Sequence, residues 1–283
     1  MTAHQYVVLD VFTDTPLQGN PLAVFTDADA LSADQMQALA RELNLSETAF
    51  LLPAETEADA RVRIFTPATE LQFAGHPVLG SAVLVAEQAS KDAVTLQTGA
   101  GMVPVQFKRR AGEASFGRMA QPLPTPEEPP PEEPLLEALG IAESGLPIRA
   151  CRNGPLHVYV ALPTEDAVSA LRPDLSALEQ LTPCCVSCFA PRPTSIGVRT
   201  RVFCPGLGVP EDPATGSAAG PLALHLIDND RLEFGEQLEI HQGEEIGRPS
   251  VLFAQADGTP DNLEAIKVGG YAVQVAQGHY RVA

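Results

Sequence analysis

Two titratable residues occupy equivalent places in two similar stretches of the chain. His76 stands in AGHPVLGSA and Asp212 in EDPATGSAAG, and in each stretch a Gly-Ser-Ala run opens an apolar segment. Considered alone, His76 is as compatible with a capping histidine in a surface loop, and Asp212 with a helix N-cap. Their occurrence at matching points of a repeated motif favours a functional role for both.

Glu47, in LNLSETAF, is the third candidate for chemistry. It follows an amphipathic segment and is surrounded in sequence by Leu43, Leu45, Ala49 and Phe50. Low-dielectric surroundings favour a protonated carboxyl, which can act as general acid or base near neutrality. The alternative is a solvated glutamate at the start of a strand, which composition alone favours.

The apolar stretches that follow the two motifs must position these residues. PVLGSAVLVA (77–86) and ATGSAAGPLALHLI (214–227) are apolar nearly all round at helical length, so each is predicted to be a helix buried on every side. A helix that begins with glycine and small polar residues presents unpaired N–H groups and the positive end of its dipole, which favour a carboxylate or phosphate. If two halves face each other across a pseudo-twofold axis, both N-termini point into one cleft.

An internal repeat supports this arrangement. RIFTP at 63–67 resembles RVFCP 138 positions later, and Gly80-Ser81-Ala82 matches Gly216-Ser217-Ala218 136 positions later. Between the copies, QPLPTPEEPPPEEP (121–134) has the composition of an extended, solvated connector. The sequence therefore predicts two halves with the same order of parts.

Short strands outnumber helices in both halves. Alternating segments such as YVVLDVF, NPLAVFT and LHVYVAL are typical of β-strands. Ser32 and Gln35 form a capping box before an amphipathic helix at 33–43, and a further helix is expected at 174–181. One central helix wrapped by strands in each half is the simplest arrangement.

Composition restricts the partners of the protein. Thirty-six acidic against 18 basic residues among 283 give a net charge of −18, which disfavours nucleic acid and anionic membranes as partners. The 45% hydrophobic and 19% charged shares are those of a soluble globular protein. Because the N-terminal residues do not resemble a signal peptide, and no apolar run approaches the ~20 residues of a membrane span, a cytoplasmic location is expected.

The cysteines and lysines exclude several further chemistries. Five cysteines are an odd count in a long chain, so reduced structural thiols are expected rather than a disulfide framework, with a redox or metal role for Cys185-x-x-Cys188 as the alternative. Phosphate-binding, dinucleotide-binding and zinc-protease motifs and the G-x-S-x-G elbow do not occur, and only three lysines are present. Acid–base chemistry without a cofactor is the strongest enzymatic interpretation that is left.

Several blocks in fixed order resemble one family. FTDTPLQGNPLAVF, LNLSETAFLLP, RIFTPATELQFAGHPVLGSA, GVPEDPATGSAAGPLA and HQGEEIGRPS together look like the PhzF-like isomerases of phenazine biosynthesis, from about residue 6 to the last strand. The resemblance implies an α+β, diaminopimelate-epimerase-like fold. In that fold, two pseudo-symmetric domains each wrap a strongly curved, mostly antiparallel sheet around a central buried helix. The expected boundaries are 1–120 (completed by a C-terminal strand at 269–283), a connector at 121–134, and 135–268.

The same resemblance implies the activity and the roles of individual residues. It implies a homodimer that uses no metal or organic cofactor and isomerises a dihydro-hydroxyanthranilic acid, a small cyclic carboxylate. Glu47 would take and return a carbon-bound proton, while His76 and Asp212 would relay protons or hold polar groups. Substrate-binding positions are expected at Asn20, Gly75, Gly216 and Ser217.

Two other functions stay open at this stage. An epimerase or racemase of an amino-acid-like carboxylate would need two acid–base groups on opposite faces of one carbon. A non-catalytic protein that keeps the scaffold would bind a carboxylate without turning it over.

Overall fold

Strands dominate the structure, as the short alternating segments predict. A computed structural model describes residues 2–108, 115–181, 184–193 and 196–282. The elements of the N-terminal half are β1 Thr2–Val11, β2 Asn20–Phe25, α1 Ala33–Leu43, β3 Glu47–Leu52, β4 Ala60–Phe65, β5 Glu70–Leu71, α2 Gly75–Ala89, β6 Ala93–Thr98, β7 Gly101–Lys108 and β8 Ser115–Gln121. Those of the C-terminal half are β9 Thr125–Glu127, α3 Glu132–Leu139, β10 Arg149–Arg152, β11 Leu156–Ala161, α4 Glu165–Ala170, α5 Leu175–Leu181, β12 Cys184–Pro191, β13 Gly197–Cys204, β14 Val209–Asp212, α6 Gly216–Ile227, β15 Leu238–Gln242, β16 Ser250–Thr259 and β17 Asn262–Val282, with 3₁₀ turns at Pro205–Leu207 and Glu244–Ile246.

Helix α1 has the bounds and the cap that its sequence predicts. The Ser32 side chain accepts a hydrogen bond from the Gln35 N–H at 3.2 Å, and the Gln35 side chain accepts one from the Ser32 N–H at 2.9 Å. The helix ends at Asn44, whose φ of 51° is left-handed. Asparagine tolerates that conformation better than most residues, so the chain turns directly into β3, which begins at Glu47.

The two apolar stretches form the central helices α2 and α6, as predicted. Eleven residues of α2 and ten of α6 are buried, including the polar side chains at their N-terminal ends. The strands of each half surround its helix, so the α+β, epimerase-like arrangement of two similar halves is confirmed. In the described part of the chain, no helix is both long enough and apolar enough to cross a membrane.

Strand pairing repeats between the halves. β2 pairs in parallel with β3 as β11 does with β12, and the parallel pairs β4–β6 and β13–β15 enclose α2 and α6 respectively. Thr48 lies opposite Phe65 and Val186 lies opposite Phe203, which aligns RIFTP with RVFCP in space as well as in sequence. By this register, the position equivalent to Glu47 in the C-terminal half is Cys185.

The long strand β17 connects the halves into one mostly antiparallel sheet of 17 strands. Its first part pairs with β16, residues 266–272 pair with β8, and residues 272–282 pair with β1. Both β1 and β8 belong to the N-terminal half. Strand β17 therefore leaves the C-terminal sheet and completes the N-terminal one.

The proline-rich segment 121–134 is only partly an extended, solvated connector. Gln121 is buried at its start, and β9 within it pairs with β10. Residues 132–134 begin α3, contrary to the extended conformation predicted for them. The helix forms there because proline is tolerated in a first turn, and Leu135, Leu136 and Leu139 are buried in the core beneath it.

The cysteine prediction is partly wrong. Cys185 and Cys204 lie directly opposite each other on β12 and β13, with Cα atoms 4.3 Å apart, and they form a disulfide. Cys151, Cys184 and Cys188 are buried free thiols, as expected. Burial raises the pKa of Cys188 to about 12. Because alternate residues of a strand face opposite sides, Cys185 and Cys188 point away from each other, and their C-x-x-C spacing does not form a redox pair.

Candidate active site

The three predicted acid–base residues come from three separate elements. Glu47 is the first residue of β3, His76 is the second residue of α2, and Asp212 is the last residue of β14. Asn20, the first residue of β2, lies between them. The fold therefore brings together, at the junction of the halves, residues that are up to 192 positions apart in sequence.

Short distances join these side chains into one cluster. The Asn20 Nδ2 atom lies 2.8 Å from Asp212 Oδ1, 3.0 Å from the Ala214 carbonyl oxygen and 3.2 Å from His76 Nδ1. On the other side of the imidazole ring, His76 Nε2 lies 3.6 Å from Glu47 Oε2. His76 Nε2 and Glu47 Oε2 are both buried, and neither has a hydrogen-bond partner among the described residues. Glu47, His76, Asn20 and Asp212 therefore form a continuous polar series.

The hydrogen-bond pattern indicates the tautomer of His76. Its Nδ1 faces the Asn20 amide nitrogen, which cannot accept a hydrogen bond, so Nδ1 carries no proton and the ring proton belongs on Nε2. Burial lowers the pKa of His76 to about 3, which keeps the ring neutral. The Nε2–H group then points at the Glu47 carboxyl. This pair is consequently not a salt bridge at neutral pH, although its atoms are close enough for one.

The two carboxyl groups hold their protons more tightly than ordinary ones. Burial, followed by the charge of Asp212, raises the pKa of Glu47 well above its usual range. Burial also raises the pKa of Asp212 to about 6, opposed by hydrogen bonds from Thr215, Ser46 and Asn20. A buried carboxyl with a raised pKa can both give and accept a proton near neutrality.

The N-termini of α2 and α6 touch each other beside this cluster. A Cβ atom on Gly75 would lie 2.6 Å from the Gly216 carbonyl carbon, and one on Gly216 would lie 3.0 Å from the Gly75 Cα and 2.8 Å from the Phe12 ring. Only glycine fits at both points. The sequence-predicted positions Gly75, Gly216 and Ser217 are therefore close to the acid–base residues, and the positive ends of two helix dipoles meet there.

A proline inside α6 frees a carbonyl group at this end of the helix. Pro221 has no N–H, so the Ser217 carbonyl oxygen lacks its usual helical donor. The Asn153 side chain supplies one at 3.0 Å. Gln121 donates to the Gly216 carbonyl at 2.9 Å and Tyr159 donates to that of Ala218 at 3.0 Å. Side chains of neighbouring elements thus fix the first turn of α6.

Sequence reasoning did not identify two residues that contact Asp212 or its backbone. Thr215 donates to Asp212 Oδ2 at 2.7 Å, and Gln242 donates to the Asp212 backbone carbonyl at 2.7 Å. Both stand in blocks that carry the family resemblance, EDPATGSA and HQGEEIGRPS. Membership of those blocks was the only signal for them in the sequence.

A buried carboxyl lies beside a neutral imidazole, with a second carboxyl and two helix N-termini nearby, at the junction of two similar halves. Such an arrangement is suited to an enzyme that transfers a proton by acid–base chemistry. Within the described ranges, no group of three or more His, Cys, Asp or Glu side chains is placed to hold a metal ion.

Comparisons with known proteins agree with this class. The family described as Phenazine biosynthesis-like protein matches residues 9–278. The chain is 48% identical over 275 residues to the trans-2,3-dihydro-3-hydroxyanthranilate isomerase of Pseudomonas aeruginosa, covering 97% of this chain and 98% of that protein. A crystal structure of a PhzF-family phenazine biosynthesis protein from Bacillus anthracis matches with a TM-score of 0.85 at 26% identity over 100% of both chains. A hydroxyproline epimerase from Agrobacterium vitis (14% identity, TM-score 0.72, 98% and 92% covered) shares the fold. The chain belongs to the PhzF family, and it is an isomerase.

Proposed function

We propose that this isomerase acts on a small cyclic carboxylic acid of the trans-2,3-dihydro-3-hydroxyanthranilate type and moves a proton along its ring by general acid–base catalysis. The observation that carries the proposal is the pairing of Glu47 with His76. The Glu47 carboxyl is buried, its pKa is raised, and its Oε2 faces the imidazole Nε2 at 3.6 Å. The curated relative at 48% identity, named for that substrate, supports the choice of ring.

In the proposed reaction, Glu47 exchanges one proton with the substrate ring. The carboxylate takes the proton from one ring carbon, and the electron pair of the broken C–H bond shifts the ring double bond. Glu47 then returns the proton to another ring carbon, so the product is an isomer and no atom is gained or lost. His76 donates from Nε2 to the ionised form of Glu47, and Asp212 accepts hydrogen bonds from polar groups of the substrate or relays their protons.

We assign the substrate carboxylate to the meeting point of the two central helices. Gly75 and Gly216 allow the first turns of α2 and α6 to approach closely, and Ser217 and Asn20 lie beside them. Two helix N-termini supply a local positive field that favours an anion. The net charge of −18 does not oppose this, because surface charges are screened over ~8 Å at physiological salt.

The repeat favours an isomerase that shifts a double bond over an epimerase that inverts one carbon with two bases. An epimerase needs acid–base groups on both faces of one carbon, and exact symmetry would supply a second carboxyl at the position equivalent to Glu47. That position holds Cys185, which is bonded to Cys204. The acid–base groups are instead concentrated around His76, where one group can serve two carbons on the same face of a ring.

Turnover in heavy water tests the reaction type. The dihydro-hydroxyanthranilate is incubated with the enzyme in D₂O and the product is examined by NMR. Deuterium at a new ring carbon with a shifted double bond is expected. Label at an inverted stereocentre would instead indicate an epimerase, and carboxylate binding without turnover would indicate a binding protein.

Replacement of Glu47 by glutamine tests the assigned base. Removing a group used in proton transfer should lower kcat by ~10²–10⁴-fold while substrate affinity changes little. Glu128→Gln makes the same chemical change at an exposed position and should leave kcat unaltered. Equal activity of Glu47→Gln and wild type would remove Glu47 from the mechanism.

The homodimeric state and the cytoplasmic location stay predictions that rest on the resemblance and on composition. Light scattering coupled to size-exclusion chromatography measures the former directly.

A further inference from the structure

Gln242, in the block HQGEEIGRPS, uses its whole hydrogen-bonding capacity beside the proposed site. The side chain is buried at the end of β15. Its Nε2 donates to the Asp212 carbonyl at 2.7 Å and to Thr215 Oγ1 at 2.9 Å, and its Oε1 accepts from the Thr215 N–H at 3.2 Å and from Thr200 Oγ1 at 3.3 Å. An amide has two donors and two acceptor lone pairs, so every one is occupied. The orientation of this amide is therefore fixed.

The fixed amide determines the direction of the Thr215 hydroxyl. Because Thr215 Oγ1 accepts a hydrogen bond from Gln242, its single proton is left for Asp212 Oδ2, 2.7 Å away. The other carboxylate oxygen, Oδ1, accepts from Asn20 at 2.8 Å. Both oxygens of Asp212 thus accept hydrogen bonds, an arrangement that favours the ionised carboxylate.

We propose that Gln242 is a positioning residue, which orients the Thr215 hydroxyl toward Asp212 and thereby keeps Asp212 an ionised hydrogen-bond acceptor during proton transfer. The proposal rests on the assignment of Asp212 to the active site made above. It gives the HQGEEIGRPS block a role in catalysis that acts through Thr215, without contact between Gln242 and the substrate.

Few other charged groups bear on Asp212. From the N-terminal half, Glu47 interacts with its charge, and His76 reaches it only through Asn20, which contacts both. On the strands packed against it, Arg201 pairs with Glu211 and also donates to the Leu171 carbonyl, and His241 pairs with Glu239. The ionisation of Asp212 is therefore governed by burial, by Glu47 and by the hydrogen bonds from Asn20, Ser46 and Thr215.

Three substitutions test whether Gln242 acts on Asp212 through the Thr215 hydroxyl. Gln242→Met keeps the length of the side chain and removes its hydrogen bonds, Thr215→Val removes the hydroxyl, and Thr215→Ser keeps it. Gln37→Met is the matched control. Gln37 also donates to two backbone carbonyl groups, those of Thr66 at 2.9 Å and Pro67 at 3.2 Å, but it makes no hydrogen bond to Thr215 or Asp212 among the described residues. Two properties are measured: the pH profile of kcat/KM, and the ionisation of Asp212 by NMR of protein labelled with ¹³C at the aspartate carboxyls, assigned through Asp212→Asn.

Gln242→Met and Thr215→Val should each move the Asp212 ionisation midpoint and the acidic limb of the profile upward by about one pH unit, a tenfold loss of the ionised form at a given low pH. Below the limb, kcat should fall about tenfold with KM changing less than threefold. Thr215→Ser and Gln37→Met should keep the wild-type midpoint. Lower thermal stability with an unchanged midpoint would show a merely structural role and overturn the proposal.

Two further outcomes are also decisive. If Gln242→Met does not fold, the Thr215→Val and Thr215→Ser pair decides, and equal midpoints for these two overturn the proposal. If wild type does not turn over the dihydro-hydroxyanthranilate but the ¹³C midpoint shifts as expected, the positioning role stands and the proposed substrate fails.

Discussion

At the scale of single residues, the buried Glu47 carboxyl makes the stability of the folded protein depend on pH. Its carboxyl is buried and close to Asp212, so its pKa is higher in the folded protein than in the unfolded chain. Between those two values the folded state binds more protons than the unfolded state. The free energy of unfolding therefore falls as the pH rises through that interval.

Glu47→Gln should stabilise the protein at high pH. The glutamine amide never ionises, so the variant avoids the cost of burying a charge. Its melting temperature at pH 8 should exceed that of wild type by roughly 2–4 °C, the shift that ~1 kcal/mol gives in a domain of this size. The gain should vanish as the pH falls toward the ordinary value of 4.5.

Thermal unfolding of both proteins from pH 4.5 to 8 measures this difference. The exposed variant Glu128→Gln should follow wild type throughout. A gain of the same size at every pH would attribute the stabilisation to packing, and would contradict a raised pKa for Glu47.

At the scale of elements, the loop between β1 and β2 is held by a side chain from the other half of the molecule. Arg248 donates to Asp10 Oδ1 at 2.5 Å, to the Gly19 carbonyl at 2.9 Å and to the Gln18 carbonyl at 2.7 Å. Asp10 is buried, and its second oxygen accepts from the Leu17 N–H at 2.6 Å. This contact fixes the loop immediately before Asn20.

Arg248→Met should destabilise the protein by about 2–3 kcal/mol. Removing one partner of a buried pair leaves an uncompensated charge, which costs ~3–5 kcal/mol, and the partial exposure of Arg248 reduces that figure. Arg152→Met breaks a pair with Glu127 whose side chains are 52% and 39% exposed, so its cost should stay below ~1 kcal/mol. Urea denaturation of both variants checks this, and equal losses would contradict it.

Local signals explain which elements the sequence predicted well. Helix α1 was predicted with its bounds because the capping box and the apolar stripe lie within the helix itself. Helices α3 and α4 were not predicted. The first begins among prolines and glutamates and is stabilised by burial of Leu135 and Leu139, and the second has only six residues. Such helices depend on tertiary packing more than on propensity.

Long-range contacts limit how much of the candidate site can be predicted from the sequence. Asn20, Glu47, His76 and Asp212 were nominated from motifs, and the structure brings them together. The bonds of Gln242 to Thr215 span 27 residues and depend on β15 running beside β13, a register that no local pattern encodes. The disulfide of Cys185 with Cys204 likewise depends on which residues of β12 and β13 lie opposite each other.

At the scale of the whole molecule, the two halves repeat the same strand order but differ in the chemistry of equivalent residues. The halves share strand order and a buried central helix, yet Glu47 corresponds to Cys185 and His76 to Asp212. The scaffold supplies two facing helix ends, and the substitutions between the copies convert a symmetric cleft into an asymmetric site. The boundaries 1–120, 121–134 and 135–268 for the two domains stay a prediction.

The halves should nevertheless unfold as one unit. Strand β17 pairs with strands of both halves, a single hydrophobic core contains residues from both, and α2 touches α6.

The chain has no tryptophan, so one tryptophan at a time can report on each half. Tyr6→Trp places it in the N-terminal half and Phe234→Trp in the C-terminal half, both at partly buried positions. The urea midpoints from fluorescence and from far-UV circular dichroism should coincide within each variant, because the two halves share one sheet and should unfold in a single transition. An earlier fluorescence midpoint in either variant, with the circular dichroism transition split in two, would show that β17 does not make the halves cooperative.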